Sequence, residues 1–309
     1  MYPQKPPAPF TGILRAGLTG MDRPGNSAIV IWKLLGGAFR RWGTGLRASS
    51  PRLCDQPLCD DDRVYVNVDE GSDPVLMIHA AGVSGWMWRP LRELLGPTMK
   101  AIVPDLPGFG RSAAQPYISH EDTVERLTGV IERHAPQGAH VVGFSMGAQL
   151  AILLASELPH LVRGVVVVSA ETKPAPFPGP TLALLSLAAP LARHRRFAAA
   201  QAHQLGIPRH LLDDYLHDST ATTRETLLSS VSENIRFTLP ATWSDYQGAV
   251  DVLVGANERK LMHESAELTA SALPGSTLRT VQGAAHDIPF SQPGIIASTL
   301  HGQILGFTA

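Results

Sequence analysis

The chain has 309 residues, of which 44% are hydrophobic and 17% charged, and its formal net charge is -1. This composition is typical of a globular protein with room for one sizeable α/β domain plus an insertion. A charge so near zero, without a long Lys/Arg run, argues against nucleic-acid binding. Two cysteines, Cys54 and Cys59, are too few for a zinc site.

Residues 1–60 differ in composition from the rest of the chain. Through Arg52 there are eight Lys/Arg and one acid, Asp22. Residues 31–42 alternate apolar and basic side chains at near-helical spacing, as a basic amphipathic helix does. The pattern favours a partly disordered extension, or a true start at Met21, over a segment that makes peripheral membrane contact.

Membrane insertion and export are not indicated by the sequence. A spanning helix needs roughly 18 to 20 uninterrupted apolar residues, and the longest candidate, residues 28–35, is interrupted by Lys33. It has no convincing small-residue cleavage site after it. We therefore expect no membrane span and a cytoplasmic location.

From Arg63 onward, β-rich runs alternate with helical stretches. The strand runs are residues 64–68, 75–78, 101–103, 141–142, 165–168, 250–255 and 277–281, and the helical stretches are residues 89–95, 121–133, 261–273 and a closing helix from Pro293. Such alternation predicts a mostly parallel sheet with helices on both faces. The continuous valine run at 165–168 is typical of a strand buried on both sides.

The alternation stops between residues 173 and 246. This segment contains frequent prolines and no strand run, and its spacing predicts helices at residues 181–191, 195–204, 209–217 and 224–234. We interpret it as a helical lid inserted into an α/β core formed by residues 61–172 and 247–309.

A serine between two glycines marks the candidate catalytic site. Gly143 and Gly147 flank Ser145, after the apolar run 139–142 and before a helix that begins at Met146. The pattern predicts a strand, a sharp turn and a helix, and this turn lifts a serine hydroxyl clear of the backbone. Free N–H groups in the first turn of the helix point to where an oxyanion would form.

Four motifs occur in order between about Arg63 and the end of the chain. They are His79-Ala80-Ala81-Gly82 followed by Ser84-Gly85-Trp86, then Asp105-Leu106-Pro107-Gly108-Phe109-Gly110-Arg111-Ser112, the serine turn, and Gly283-Ala284-Ala285-His286 followed by Pro289 and Pro293. With these motifs this part of the chain resembles the α/β-hydrolase family, whose fold is therefore expected. The resemblance implies a serine nucleophile at Ser145, whereas relatives that hydrolyse epoxides or haloalkanes use aspartate.

A serine nucleophile needs a base of near-neutral pKa to remove its proton. Of twelve histidines, His286 follows the last predicted strand, at the edge where open α/β sheets bind ligands, and it matches the base of the family. The resemblance assigns His79 to shaping the loop after an early strand. The other histidines have no comparable position.

The acid that orients the histidine has two candidates. Glu258 occupies the position at which the family usually has aspartate, just past a strand, and either acid is permitted in the order Ser, acid, His. Glu171 follows the strand at 165–168, from which some relatives draw their acid. Asp251 begins its strand and so lies at the wrong edge. We expect Glu258, with Glu171 as the alternative.

The oxyanion hole is expected to combine the N–H of Met146 with that of Ala81, the latter by family position. Ala80 stands where a glycine is usual, and if that position needed a positive φ, alanine would cost about 1 kcal/mol. The segment from Asp105 to Ser112 is interpreted as an architectural loop, tied down by Arg111.

The function expected from the sequence is hydrolysis of a carboxylic ester, or a related acyl bond, of a small and largely apolar molecule. Neither metal nor organic cofactor is implied. A lactone, a thioester or a carbon–carbon bond beside a ketone would use the same groups. Two other classes remain open. One is a small-molecule receptor with negligible turnover, which Glu258 in place of aspartate and Ala80 in place of glycine would favour, and the other is a hydrolase docked on lipid by residues 1–60.

Overall fold

Seven strands form one sheet in the computed structural model, which describes residues 64–192 and 194–306. They are β1 (Val66–Val68), β2 (Asp73–Ile78), β3 (Met99–Pro104), β4 (Ala139–Phe144), β5 (Val162–Val168), β6 (Ala249–Gly255) and β7 (Thr277–Val281). The extension at residues 1–60, the amphipathic helix that its sequence pattern suggests at 31–42, and both cysteines lie outside the described residues.

The sheet is mostly parallel, in the order β1-β3-β2-β4-β5-β6-β7. Only β1 pairs antiparallel, with β3, among the described strands. All six residues of β4 are buried, as are the last five of β5, because helices cover both faces. The six strands from β2 through β7 are parallel, so their carboxyl ends share one edge of the sheet.

The helices of the core are α1 (Arg89–Arg92), α2 (His120–His134), α3 (Met146–Glu157), α8 (Lys260–Ser271), α9 (Ile288–Ser291) and α10 (Pro293–Leu305). The N–H of Asp122 donates to the Ser119 side chain, which caps α2. Ten consecutive residues of α3, from Met146 to Ala155, are buried. Ala148 and Ala151 belong to the same hydrophobic core cluster as Val141 of β4 and Val165 and Val167 of β5, so this apolar helix packs against the sheet.

The segment between β5 and β6 folds into four further helices, α4 (Pro178–Ala192), α5 (Arg195–Gln204), α6 (Leu212–Ala221) and α7 (Arg224–Arg236). α4 packs on α7, and α5 packs on α6. Side chains from α5 and α6 join a core cluster with Trp86, Trp88 and the buried face of α10. The insertion is thus fixed to the core beside the loop after β2.

Two elements differ in detail from the sequence-based expectation. The predicted helix at residues 89–95 is a 3-10 turn at Gly85–Trp88 followed by the short helix Arg89–Arg92. The strand predicted from Val64 begins at Val66. No helix in the described part of the chain is both long and apolar enough to cross a membrane.

Candidate active site

Ser145 lies in the sharp turn between β4 and α3. Its φ of 55° and ψ of -116° place a non-glycine residue in a region that costs of order 1–3 kcal/mol. Its N–H donates to the carbonyl of Val168 at 2.9 Å, which ties the turn to the end of β5. The turn leaves the side chain of Ser145 partly exposed.

The two glycines of the turn are required by close backbone approach. A Cβ on Gly143 would lie 2.1 Å from the carbonyl oxygen of Gly147, and one on Gly147 would lie 2.1 Å from that of Ile78. Neither neighbour is the flexible end of a side chain, so any larger residue would push the strand and helix apart. The Gly-x-Ser-x-Gly spacing therefore follows from the crossing of β4, α3 and β2.

The structure brings His286 and Glu258 together at the same edge of the sheet. The Nδ1 atom of His286 lies 3.0 Å from Oε2 of Glu258. Because an ionised carboxylate only accepts, Nδ1 carries the proton and Nε2 is left with its lone pair. The imidazole ring packs at 4.8 Å, centroid to centroid, from the ring of Phe144, the residue before Ser145.

Glu258 is held by three donors in a fully buried position. Besides His286 at Oε2, its Oε1 atom accepts from Ser169 Oγ at 2.5 Å and from the N–H of Gly255 at 3.2 Å. Burial alone would raise the pKa of Glu258, but the charge of His286 and these hydrogen bonds bring it below its ordinary value. The group is therefore ionised in the neutral pH range.

Glu171, the alternative acid, has a different partner. Its Oε2 atom lies 3.5 Å from Nη2 of Arg259, the residue after Glu258. The Oε1 atom of Glu171 and the Nε atom of Arg259 are buried without a hydrogen-bond partner. Burial raises the pKa of Glu171, although Arg259 and His286 oppose this shift. The Nδ1 atom of His286 thus contacts Glu258 and not Glu171.

The two backbone groups expected to bind an oxyanion belong to different elements of the fold. Met146 is the first residue of α3, so its N–H has no carbonyl acceptor within the helix. Ala81 lies in the loop that follows β2. Ala80 is not among the described non-glycine residues of positive φ, and Gly82 takes that conformation instead, with φ of 79°. The strain considered for alanine at position 80 is therefore absent.

His79 and Asp105 hold the loops around the site. His79 donates from Nδ1 to the carbonyl of Ala80 at 2.8 Å, and its Nε2 accepts from the N–H of Leu106 at 2.8 Å. Burial lowers the pKa of His79, against the charge of Asp105. The Asp105 carboxylate accepts from the N–H groups of Gly85 at 2.8 Å and Arg111 at 2.9 Å. Through these hydrogen bonds, His79 and Asp105 join the loops after β2 and β3.

Arg111 holds its loop through both its backbone and its side chain. Its backbone N–H meets Asp105, whereas its guanidinium lies 4.4 Å from the ring centroid of Tyr65 and donates to the hydroxyl of that residue. The side chain therefore fastens the loop to the residue before β1.

A buried polar network that the sequence does not reveal joins α3 to α2 and to α7 of the insertion. Gln149, one turn after Ser145, accepts from His120 Nε2 at 2.9 Å and donates to the carbonyls of Glu171 and Asn234 at 2.6 and 3.0 Å. The hydroxyl of Tyr117 donates to His120 Nδ1 at 2.8 Å. Burial lowers the pKa of His120, so the ring is a neutral, structural link between α2, α3 and α7.

A second buried contact joins the insertion to the loop after β2. Trp86 Nε1 donates to Oδ2 of Asp218, on α6, at 2.6 Å, and Ser84 also bonds this carboxylate. The indole of Trp86 stacks on Phe290 of α9, with ring centroids 6.3 Å apart. Asp218 directly follows the helix predicted at residues 209–217, and its sequence context gives no signal of this role.

Within residues 64–192 and 194–306, no three or more His, Cys, Asp or Glu residues are grouped so as to hold a metal ion.

Relatives with known names share parts of this sequence. The chain is 33% identical over 102 residues to a pimeloyl-[acyl-carrier protein] methyl ester esterase of Yersinia pseudotuberculosis serotype O:1b, a match that covers 33% of this chain and 38% of the relative. A protein of the same name from Vibrio cholerae is 29% identical over 110 residues, or 36% and 42% of the two chains. The matches thus span less than half the length of these relatives.

Solved structures match over a larger share of the chain. The enol-lactonase from Burkholderia xenovorans LB400 has a TM-score of 0.66 at 15% identity, covering 78% of this chain and 96% of that one. A thermophilic esterase from Thermogutta terrifontis has a TM-score of 0.66 at 19% identity, covering 80% and 94%. At such identities the likeness concerns the fold.

The family model described as "Alpha/beta hydrolase family" matches residues 75–299, which run from β2 into α10 and include the serine turn, Glu258 and His286. This range takes in most of the chain, and the sheet order, the strained Ser145 and the motif order all agree with it. The chain is a member of the alpha/beta hydrolase family.

Proposed function

We propose that the protein hydrolyses a carboxylic ester of a small, largely apolar molecule, with Ser145 as nucleophile, His286 as base and Glu258 as the acid that orients it. The observation that carries the proposal is the 3.0 Å contact between His286 Nδ1 and the buried Glu258 carboxylate, beside the strained turn that presents Ser145. This arrangement fixes the imidazole tautomer in which Nε2 can accept a proton.

The reaction would proceed through an acyl-enzyme. Ser145 Oγ attacks the ester carbonyl while His286 takes its proton, and the N–H groups of Met146 and Ala81 bind the oxyanion. His286 then returns the proton to the departing alcohol. A water molecule, deprotonated by the same imidazole, attacks the acyl group and frees Ser145 as the carboxylic acid leaves.

Other acyl substrates fit the same groups. A lactone or thioester differs only in the leaving group, and the names of the relatives mention an enol-lactonase and esters carried on an acyl carrier protein. The carbon–carbon bond of a ketone also remains within reach of a serine nucleophile. These substrates therefore belong in one assay panel with simple esters.

The two sequence features that favoured the receptor hypothesis have no disruptive effect in the structure. One was glutamate at position 258, whose longer side chain nevertheless meets His286. The other was alanine at position 80, which adopts no positive φ. Neither departure from the usual family pattern distorts the surroundings of Ser145.

The proposal is tested by covalent labelling combined with turnover. A fluorophosphonate should modify the native protein on the peptide that contains Ser145, and p-nitrophenyl esters of graded acyl length should be hydrolysed. Ser145→Ala serves as the control and should lose both. A folded native protein that is neither labelled nor active on any ester, lactone or thioester would contradict the proposal.

Helix α4 offers a test of the apolar substrate. Leu185 is only 8% exposed, yet it belongs to neither hydrophobic core cluster, whereas Leu187 is 78% exposed. The apolar residues of this helix suggest that it faces a hydrophobic pocket, and of these two leucines only Leu185 is covered and so is a candidate for the pocket lining. If α4 borders the acyl pocket, added bulk at this position narrows it, and we expect Leu185→Phe to shift the preferred acyl length by two or more carbons.

Leu187→Phe is the matched control, since its side chain points to the exterior. It should leave the ratio of kcat/KM between the acetate and octanoate esters within about twofold of the native value. Equal selectivity in both variants would show that α4 does not border the acyl pocket.

A further inference from the structure

Ser169 adopts an unusual backbone conformation directly after β5. Its φ of 53° lies in the left-handed region, and its N–H donates to the carbonyl of Leu253 at 2.9 Å, which fixes the chain there. A glycine would adopt this conformation at much lower cost. The residue is also buried, at 2% exposure.

The side chain of Ser169 forms a hydrogen bond that explains why serine and not glycine stands at this strained position. Its hydroxyl donates to Oε1 of Glu258 at 2.5 Å, while Oε2 of the same carboxylate accepts from His286. The left-handed backbone turns the hydroxyl toward the end of β6, where Glu258 lies. Ser169 and His286 thus contact different oxygens of the same carboxylate.

We propose that Ser169 is a positioning residue that holds the Glu258 carboxylate in the orientation His286 requires. The inference rests on the proposed function, in which Glu258 is the acid. A glutamate has one more rotatable bond than the aspartate usual at this position, and the additional freedom must be removed for the carboxylate to meet Nδ1 in one geometry. Ser169 supplies that restraint.

Gly255 alone cannot replace this restraint. Its N–H lies 3.2 Å from Oε1 of Glu258, longer than the 2.5 Å contact from Ser169. The Glu258 side chain has no exposure to solvent, so water cannot substitute for a missing donor without a rearrangement. Loss of the hydroxyl therefore leaves a buried carboxylate oxygen with one weak partner.

Removal of the hydroxyl should affect turnover and not substrate binding. We expect Ser169→Ala to lower kcat about tenfold with KM within twofold of the native value, because the hydroxyl contacts the acid and not the substrate. Steady-state kinetics on a p-nitrophenyl ester gives both constants. A fall in kcat of less than twofold would overturn the proposal.

Ser169→Gly separates the hydroxyl from the backbone strain. Glycine also lacks the hydroxyl but accepts a φ of 53° without strain, so its melting temperature should exceed that of Ser169→Ala. Its kcat should nevertheless fall as far as that of the alanine variant. Near-native turnover in the glycine variant would assign the effect in alanine to strain and would overturn the proposal.

A double-mutant cycle tests whether Ser169 acts through Glu258. If it does, Ser169→Ala should change kcat by less than about twofold in a Glu258→Gln background, since the acid is already lost. A tenfold loss in that background as well would mean that Ser169 acts independently, which contradicts the proposal.

A signal that does not depend on turnover separates this inference from the proposed function. The Nδ1 proton of His286 should give a low-field NMR resonance that is lost in Glu258→Gln and shifted or broadened in Ser169→Ala. If the native protein proves inactive on esters, the proposed function fails, yet this resonance still decides the role of Ser169. An unchanged resonance in Ser169→Ala would overturn it.

Discussion

Glu258→Gln is expected to lower kcat about 10³- to 10⁴-fold without unfolding the protein. The amide is nearly isosteric with the carboxylate, but it can present an N–H to His286 Nδ1 and so favour the tautomer in which Nε2 is protonated. It also carries no charge to stabilise the imidazolium that forms as Ser145 is deprotonated. Steady-state kinetics and a melting curve for each variant measure the two effects.

Glu171→Gln is the matched comparison, since Glu171 lies at the same edge of the sheet and is also buried. It contacts Arg259 and not His286, so kcat per folded molecule should stay within about threefold of the native value. Its stability should fall, because Arg259 loses its ionic partner in a largely buried place. The reverse result would identify Glu171 as the acid, and near-native turnover in both variants would exclude both.

The elements that carry the candidate site were the easiest to predict. Valine-rich runs bounded by glycine or proline predicted β4, β5 and β6, and Gly143 and Gly147 predicted the turn between β4 and α3. These signals are local, since each depends on residues within about ten positions. The fold class followed from their alternation and is now confirmed by the family match.

Contacts between distant segments could not be predicted. Ser169 and Glu258 are 89 positions apart, and no pattern in the sequence shows that Ser169 adopts a positive φ or that its hydroxyl points to β6. The same holds for Gln149, whose partners lie on α2, α7 and the loop after β5. Such links depend on how strands and helices are stacked, which local periodicity does not specify.

In helix α4 of the insertion, hydrophobic periodicity predicts the helix but not which of its sides is buried. A run of apolar residues predicted a helix over residues 181–191, and α4 extends from Pro178 to Ala192. Because leucines and alanines cover all sides of this helix, the sequence does not indicate which side is buried. Leu185 and Leu187 are 200° apart around the axis at about 100° per residue, and only Leu185 is covered.

Asp218→Asn is expected to raise the free energy of unfolding by about 3 kcal/mol at pH 8 and to leave it nearly unchanged at pH 4. Burial raises the pKa of Asp218 from 3.8 to about 6, with hydrogen bonds from Ser84 and Trp86 opposing the shift. Between these values the native protein binds more protons than the unfolded chain, so stability falls as the pH rises. The contribution of Asp218 is complete below about pH 4 and is lost as the pH passes 6.

The amide should keep the contacts of Asp218 while avoiding its charge. Its oxygen can still accept from Trp86 Nε1, and its NH2 group can donate to Ser84, so α6 should stay joined to the loop after β2 at every pH. Urea denaturation at pH 4, 6 and 8 measures the difference. Asp214→Asn is the control, because Asp214 lies on the same helix but forms a surface ion pair with Arg89, which is worth at most about 1 kcal/mol. If Asp218→Asn and the native protein lose stability in parallel between pH 4 and 8, then burial of the Asp218 charge is not what weakens the contact between the insertion and the core.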